Sequence, residues 1–390
     1  MKRNGKKNGF TIVELVIVIA VIAILAGVLI PTFSSLVAKA NMSADQQAVT
    51  NMNKILAISD KPTDVDGVIE LLIENDYAGD LTTYYKNYSL AWIESENVIV
   101  LIEGGKVVYP ERYANSTLTV ALIKPMATDS TTLTDNLVAG QTVYLGENVT
   151  ANDGFSTPAT GEYKMNLVGN TLKANQRIGS WLVGGGSKLV ISNGIIDATD
   201  STDRVAVRAE GGNTVEVNNV QIYSKHGVNP LMSYGGTMVL NNVTAAQAGT
   251  AEESWFDSAI QVVNQIKPET GKAQTWTIYQ QANVTINSGM YSGKKAIQID
   301  APGGNVTING GTFKGSLYVI QADFAPTNYN DNENYDSVIT INGGTFEGII
   351  KITAATTLVI NGGTFNVNPT NWVGAGKTAV ANADGTWTVK

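Results

Sequence analysis

The hexapeptide INGGTF occurs three times without change, at 308–313, 341–346 and 360–365. Degenerate copies stand upstream: INSGMY at 286–291, LNNVTA at 240–245, VNNVQI at 217–222 and ISNGII at 191–196. Most follow a stretch of alternating apolar and polar residues, and NVTIN at 283–287 is repeated at 305–309. Start-to-start intervals are 26, 23, 46, 22, 33 and 19 residues. A strand–turn–strand unit recurring every 20–25 residues predicts an architecture in which each unit buries its apolar face against the next. The interval of 46 then reads as two units, and that of 33 as one unit plus a loop of about eleven residues.

Among repeat architectures, leucine-rich repeats need a Leu consensus that is absent, and propeller blades need about 40 residues. A right-handed parallel β-helix fits, its coils stacked at the ~4.8 Å strand spacing. About ten coils over 137–390 give a rod of ~50 Å. The resemblance is to pectin-lyase-like β-helices. Asn at each bend tolerates the left-handed conformation, and its amide can bond coil to coil. Asn148, Asn170, Asn193, Asn219, Asn242, Asn264, Asn287, Asn309, Asn342 and Asn361 are the expected column. Gly-Gly after Asn permits positive φ. Phe313, Phe346 and Phe365 are expected to stack in the core.

Composition narrows the chemistry. The 390 residues contain no cysteine and one histidine, His226. Disulfides, zinc-thiolate and iron–sulfur sites and cysteine nucleophiles are thereby excluded, and His-cluster metal sites disfavoured. With 26 basic against 34 acidic residues the formal charge is -8, which argues against nucleic acid as a partner. Mean hydropathy is +0.00, but it averages unlike segments.

Residues 1–9 carry Lys2, Arg3, Lys6 and Lys7 and no acid; residues 10–30 read FTIVELVIVIAVIAILAGVLI. A helix of that length spans ~31 Å, enough to cross hydrocarbon, with the basic flank cytoplasmic. A cleaved secretory signal or a plain anchor leaves Glu14 unexplained, since a carboxylate within an apolar span is costly. The arrangement Gly9-Phe10 with Glu14 fifth after the glycine resembles the signal of type IV prepilins and pseudopilins. That resemblance implies cleavage by prepilin peptidase between Gly9 and Phe10 and methylation of the Phe10 amine. It also implies storage in the cytoplasmic membrane, then assembly with other pilin subunits into an extracellular pilus. Glu14 would pair there with the Phe10 amine of a neighbour, and Gly27 and Pro31 would kink the helix. Losing the leader takes the side-chain charge from -8 to -12, as four basic residues leave.

The expected fold class is therefore α+β pilin followed by an all-β right-handed parallel β-helix. The expected segments are leader 1–9, membrane and filament-core helix 10–61, small α/β head 62–125, linker 126–136 and β-helix 137–390. In 10–61 the face Phe33, Leu36, Val37, Ala40, Ala44, Ala48, Met52 and Ile55 is amphipathic. The head, a helix at 68–74 capped by Asp64 or Asp66 and strands over 85–109, is similar to Gram-positive pilin-like heads. The expected function is a pilin or minor pilin subunit displaying an adhesive β-helix, with a glycan or surface receptor as its external partner. No enzymatic activity, cofactor or metal is expected. The alternatives are a pilus-tethered polysaccharide lyase or hydrolase, with Asp197, Asp200, Asp203, Arg204, Arg208, Lys225 and His226 as its nearest residues, and a pseudopilin of a secretion system. The segment 323–336, with Asp323, Asp331, Glu333 and Asp336 among four Asn and two Tyr, is a candidate calcium or glycan loop, since oxygen-rich loops suit calcium.

Overall fold

A computed structural model describes residues 11–81, 84, 88–114, 116, 118–124, 126–158, 160–180, 185–249, 255–268, 276–300, 303–324, 337–352 and 356–390, apart from the side chains at 80, 266–268, 276–279 and 323–324. The chain divides into two compact regions, Met1–Lys124 and Pro125–Lys390.

In the first region, helix α1 spans Ile12–Ile58. Thr11 and Glu14 start it as a reciprocal capping box, which satisfies two of the orphan N–H groups of the first turn. The helix runs through Gly27 and Pro31 without a break in secondary structure. Pro31 removes one intrahelical donor; the next residue, Thr32, donates its hydroxyl to the Val28 carbonyl at 2.8 Å. The helix ends three residues short of the expected bound, at Ile58. Its buried face is Val49, Met52 and Leu56, rotated from the expected one, and Phe33, Leu36 and Val37 are exposed. The rotation follows from polar docking. Asn53 clamps Ile99, donating to its carbonyl at 2.9 Å and accepting from its N–H at 2.7 Å, and Thr50 bonds the Tyr109 hydroxyl at 2.6 Å.

Helix α2, Val65–Glu74, is capped by Asp64, whose carboxylate accepts from Gly67 N–H at 2.8 Å. Strands β1 (Ser89–Ile93), β2 (Val98–Glu103), β3 (Lys106–Tyr109) and β4 (Ala121–Ile123) form an antiparallel sheet in the order β3-β2-β1-β4. The first three lie where alternation and the Gly104-Gly105 turn place them. β4 is too short to read from pattern alone.

The second region opens with helix α3, Ser130–Asn136, inside the segment expected to be a linker. Asp129 accepts from Thr132 N–H at 2.7 Å as its N-cap, and Leu133 is fully buried in the core. The Ser/Thr/Asp composition that suggests a linker is here N-cap chemistry.

Beyond α3 the described residues form a mostly parallel sheet of 23 strands. Its strands form three ladders, and most repeat units supply one strand to each. The first ladder pairs Gly161–Asn166, the first halves of Ser187–Ala198 and Thr214–Ser224, then Thr237–Asn241, Asn283–Ile286, Asn305–Ile308, Ser337–Ile341 and Thr356–Ile360. The second carries the residues after each bend, ending with Thr312, Thr345 and Thr364 in register. The third pairs Val205–Glu210, Asn229–Tyr234, Ser258–Val263 and the later parts of Gly289–Asp300, Thr312–Phe324 and Thr345–Ile352.

Register is held by side chains. Asn361, Asn342, Asn309, Asn287 and Asn241 each donate to the Asn one repeat earlier, at 3.0, 2.9, 2.8, 2.7 and 2.6 Å, ending on Asn218. A neighbouring column runs Asn242, Asn219, Asn193, Asn166 at 3.0, 3.3 and 3.4 Å. The column thus shifts by one residue at the Asn241-Asn242 pair. At its lower end Asn170 donates to the Leu145 carbonyl and Asn148 accepts from Thr171 N–H. Asn193, Asn219 and Asn242 are left-handed as expected, but in INGGTF that conformation passes to the second glycine, Gly344 at φ 112°. The first glycine is required by approach: a Cβ on Gly362 would stand 2.5 Å from the Asn342 carbonyl oxygen.

Two intervals resolve differently. Across the 33-residue step Asn305–Ile308 pairs directly with Ser337–Ile341, as expected for one unit plus a loop. Across the 46-residue step Thr237–Asn241 pairs directly with Asn283–Ile286, so that step is one unit and not two. The excess includes an antiparallel hairpin, Gln265–Pro268 with Trp276–Gln280. Asn264 therefore stands outside the column; it is buried and accepts from Ala282 N–H at 2.7 Å.

Tyr291, Phe313, Phe346 and Phe365 stack face to face, with centroid separations of 5.1, 4.8 and 4.7 Å, and all are at most 1% exposed. Parallel register at the ~4.8 Å strand spacing sets this separation. The last strand, Trp387–Val389, runs antiparallel to Gly363–Phe365 and to Ala379–Ala381. It covers the final parallel strand of the second ladder, which would otherwise present an open edge.

The third ladder differs on its two sides. Leu231, Ile260, Ile297 and Ile320 fill the main core; between them Gln261, Gln298 and Gln321 stand in register and are nearly fully buried. Asp300, fully buried, accepts from Gln261 Nε2 at 2.5 Å and Gln298 Nε2 at 2.7 Å. Burial pushes its carboxyl up to about 6, against the opposing pull of those amides and of Lys295.

Two outcomes test this packing. Phe346→Ala should destabilise the protein by ~3–5 kcal/mol in chemical unfolding, whereas Val338→Ala, at an exposed position, should cost less than ~1 kcal/mol. Asp300 binds its proton more tightly folded than unfolded, so its contribution should become more favourable as pH falls from about 6 toward 4. Relative to Asp300→Asn, the wild type should gain ~2 kcal/mol in unfolding free energy between pH 7.5 and pH 4.

Candidate functional site

The assembly segment suggested by the sequence is described from Thr11 onward; Gly9 and Phe10 lie outside the described residues. Glu14 is on the first turn of α1, and Oε2 accepts from both the N–H and the hydroxyl of Thr11 at 2.8 Å. Thr11 in turn accepts from Glu14 N–H at 3.3 Å. Thr11 was not among the expected site residues, yet Thr-x-x-Glu before an apolar run is a readable capping-box signal. Around the helix Val13, Ile17, Ile24 and Ile30 are all exposed. Such a surface is stable only in lipid or against other apolar surfaces. Among the described residues α1 is the one helix long and apolar enough to cross a membrane.

The residues nearest to a lyase pattern separate into local pairs. Asp197 accepts from the Thr199 N–H and hydroxyl at 2.9 and 2.6 Å, a turn bond. Asp200 pairs with Lys173 at 2.6 Å, which holds its carboxyl below the usual carboxylate range. Asp203 faces Arg177 at 3.6 Å and caps Arg204 N–H at 2.7 Å. Arg208 pairs with Glu210 at 2.9 Å; burial raises the Glu210 carboxyl, opposed by the Arg208 charge. Among the described residues no group of three or more His, Asp or Glu is placed to hold a metal ion.

His226 lies in a turn, and its Nδ1 meets Asp257 Oδ1 at 2.9 Å. Asp257 is fully buried and also accepts from Gln247 Nε2 at 3.4 Å. The two residues stand on neighbouring units of the third ladder, 31 positions apart, and no sequence signal pairs them. Of the candidate calcium or glycan loop, Asp331, Glu333 and Asp336 lie outside the described residues; Asp323 falls in the strand Thr312–Phe324, with its side chain outside them.

Comparison with known proteins adds one finding. Neither a curated protein nor a solved structure matches the chain. Residues 4–30 match the family model of the prokaryotic N-terminal methylation motif. The match takes in Lys6 and Lys7 of the basic flank, Gly9, Phe10, Glu14 and the apolar half of α1, and it supports a type IV pilin-like prepilin signal at the head of this chain.

Proposed function

We propose that the protein is a type IV pilin or minor pilin subunit that displays a right-handed parallel β-helix outside the cell as an adhesive surface. The observation that carries this reading is the methylation motif at residues 4–30, with Glu14 at the start of an exposed apolar helix. Prepilin peptidase removes residues 1–9 and methylates Phe10. Until assembly the subunit waits in the cytoplasmic membrane, where Thr11 supplies the Glu14 carboxylate with two hydrogen bonds that lower the cost of an acid in an apolar span. In the filament the Phe10 amine of a neighbour becomes its partner, and a desolvated ion pair of this kind fixes axial register.

The β-helix reading is supported by three parallel ladders that the chain visits in turn, and right-handed crossovers are the rule for such connections. The display reading is supported by the acidic, cysteine-free composition and by a repeat region that follows the apolar helix and its small antiparallel sheet. The displayed region binds and does not catalyse: Asp197, Asp200 and Asp203 are engaged by Thr199, Lys173 and Arg177.

Mass spectrometry of the mature protein should find Phe10 as the N-terminus with a methyl on its amine; an intact Met1 overturns the reading. Glu14→Val should leave leader removal intact and lower the subunit in sheared filaments by more than about tenfold, since losing one partner of a buried pair costs ~3–5 kcal/mol. Normal incorporation of that variant would show that the pair plays no part.

A further inference from the structure

Three of the chain's five arginines, Arg177, Arg204 and Arg208, lie within one stretch of the third ladder. Two are already matched: Arg177 faces Asp203 and Arg208 pairs with Glu210. Arg204 is exposed, and among the described residues no carboxylate lies within ion-pair distance of it. Its backbone is fixed at both ends, the N–H donating to Asp203 Oδ1 at 2.7 Å and the carbonyl accepting from Asn229 N–H at 2.8 Å. Its guanidinium stands 5.1 Å from the centre of the Phe256 ring, and that of Arg208 stands 5.0 Å from the Tyr234 ring.

Both rings are partly exposed and rest on a small apolar cluster, Val205, Met232 and Val263, that is separate from the main core. The patch therefore offers two partly exposed aromatic rings, a dry floor and one guanidinium that rests on a ring without a carboxylate partner among the described residues. It coincides with the largest interruption of the repeat: the hairpin that begins at Gln265 reaches Glu210 through Gln265 Nε2 at 3.4 Å, and Phe256 adjoins the Asp257–His226 pair.

We propose that this face is a binding site for a carboxylated sugar. Aromatic rings take the C–H face of a pyranose through apolar contact, and a planar guanidinium takes a carboxylate in bidentate geometry that lysine cannot match. The charge balance selects the ligand further. Arg177 and Arg208 already face Asp203 and Glu210, which leaves the Arg204 guanidinium for a ligand carboxylate; this suits one carboxylate per sugar and not a polyanion, whose binding needs many cations. The proposal names the ligand class of the adhesive surface proposed above and rests on that reading for its setting outside the cell.

The test uses the full chain in detergent micelles, titrated calorimetrically with sialyllactose, a galacturonate trisaccharide, lactose, a heparin-derived hexasaccharide and a glutamate-rich peptide. One or both carboxylated sugars should bind at least about tenfold more tightly than lactose, the size of effect one charge-assisted bond gives. Which of the two binds identifies the source of the carboxylate. Arg204→Gln should abolish that preference and Arg204→Lys should restore it in part. Phe256→Leu, which keeps apolar volume at the patch, should weaken both acidic and neutral sugars. Lys314→Gln, whose lysine pairs with Glu347 far along the repeat, should change nothing. Absence of binding by both carboxylated sugars overturns the proposal. So do equal binding of lactose, of the peptide or of heparin, and wild-type behaviour of Arg204→Gln. Binding is read on purified protein, so it can fail while leader cleavage and filament incorporation succeed, and the reverse.

Discussion

The second region depends on one constraint: each bend must set an Asn amide within reach of the amide one repeat earlier. From Asn218 to Asn361 the column is continuous at 2.6 to 3.0 Å. An amide carries donors and an acceptor, so each member gives upstream and receives from downstream, and a slip of one residue would break the chain of bonds. The step that satisfies it is the parallel strand spacing, ~4.8 Å, and that same step brings the Phe rings to 4.7 and 4.8 Å. Polar column and aromatic stack therefore enforce one register on the two sides of the bend.

Because register is set at the bend, length elsewhere is free. The 33- and 46-residue steps insert their extra residues without displacing the next first-ladder strand, as Asn305–Ile308 and Asn283–Ile286 show. The larger insertion flanks the third ladder, where the outward positions carry arginine, glutamine and aromatic residues. Around Asp300 two buried amides, Gln261 and Gln298, turn their N–H groups onto the carboxylate, a pairing that a flat solvated face would not require.

Much of this was legible in the residues. Three identical hexapeptides gave the repeat, its bend, its parallel stacking partners and the buried phenylalanines. The Asp64 cap and the strands on either side of Gly104 and Gly105 followed from local chemistry. The errors have physical sources. Spacing near 22 placed Asn264 in the column, yet spacing alone cannot tell a repeat from an insertion of similar length. A Thr/Ser-rich stretch reads the same whether it solvates a linker or caps α3, and only the burial of Leu133 decides. The rotated face of α1 was fixed by Asn53 and Thr50, polar residues that a hydrophobic periodicity ignores. His226 and Asp257 meet only because stacked units bring distant positions together.

The N-terminal signal and the stacked region make different physical demands, one an apolar surrounding and the other water. The proposed subunit, with its helix in an apolar surrounding and residues 125–390 in water, meets both. Immunogold labelling of intact cells with an antibody against residues 125–390 tests this most directly. The account predicts gold on filaments outside the cell, along their length or at their tips. Gold confined to the cell envelope, with none on filaments, would contradict it.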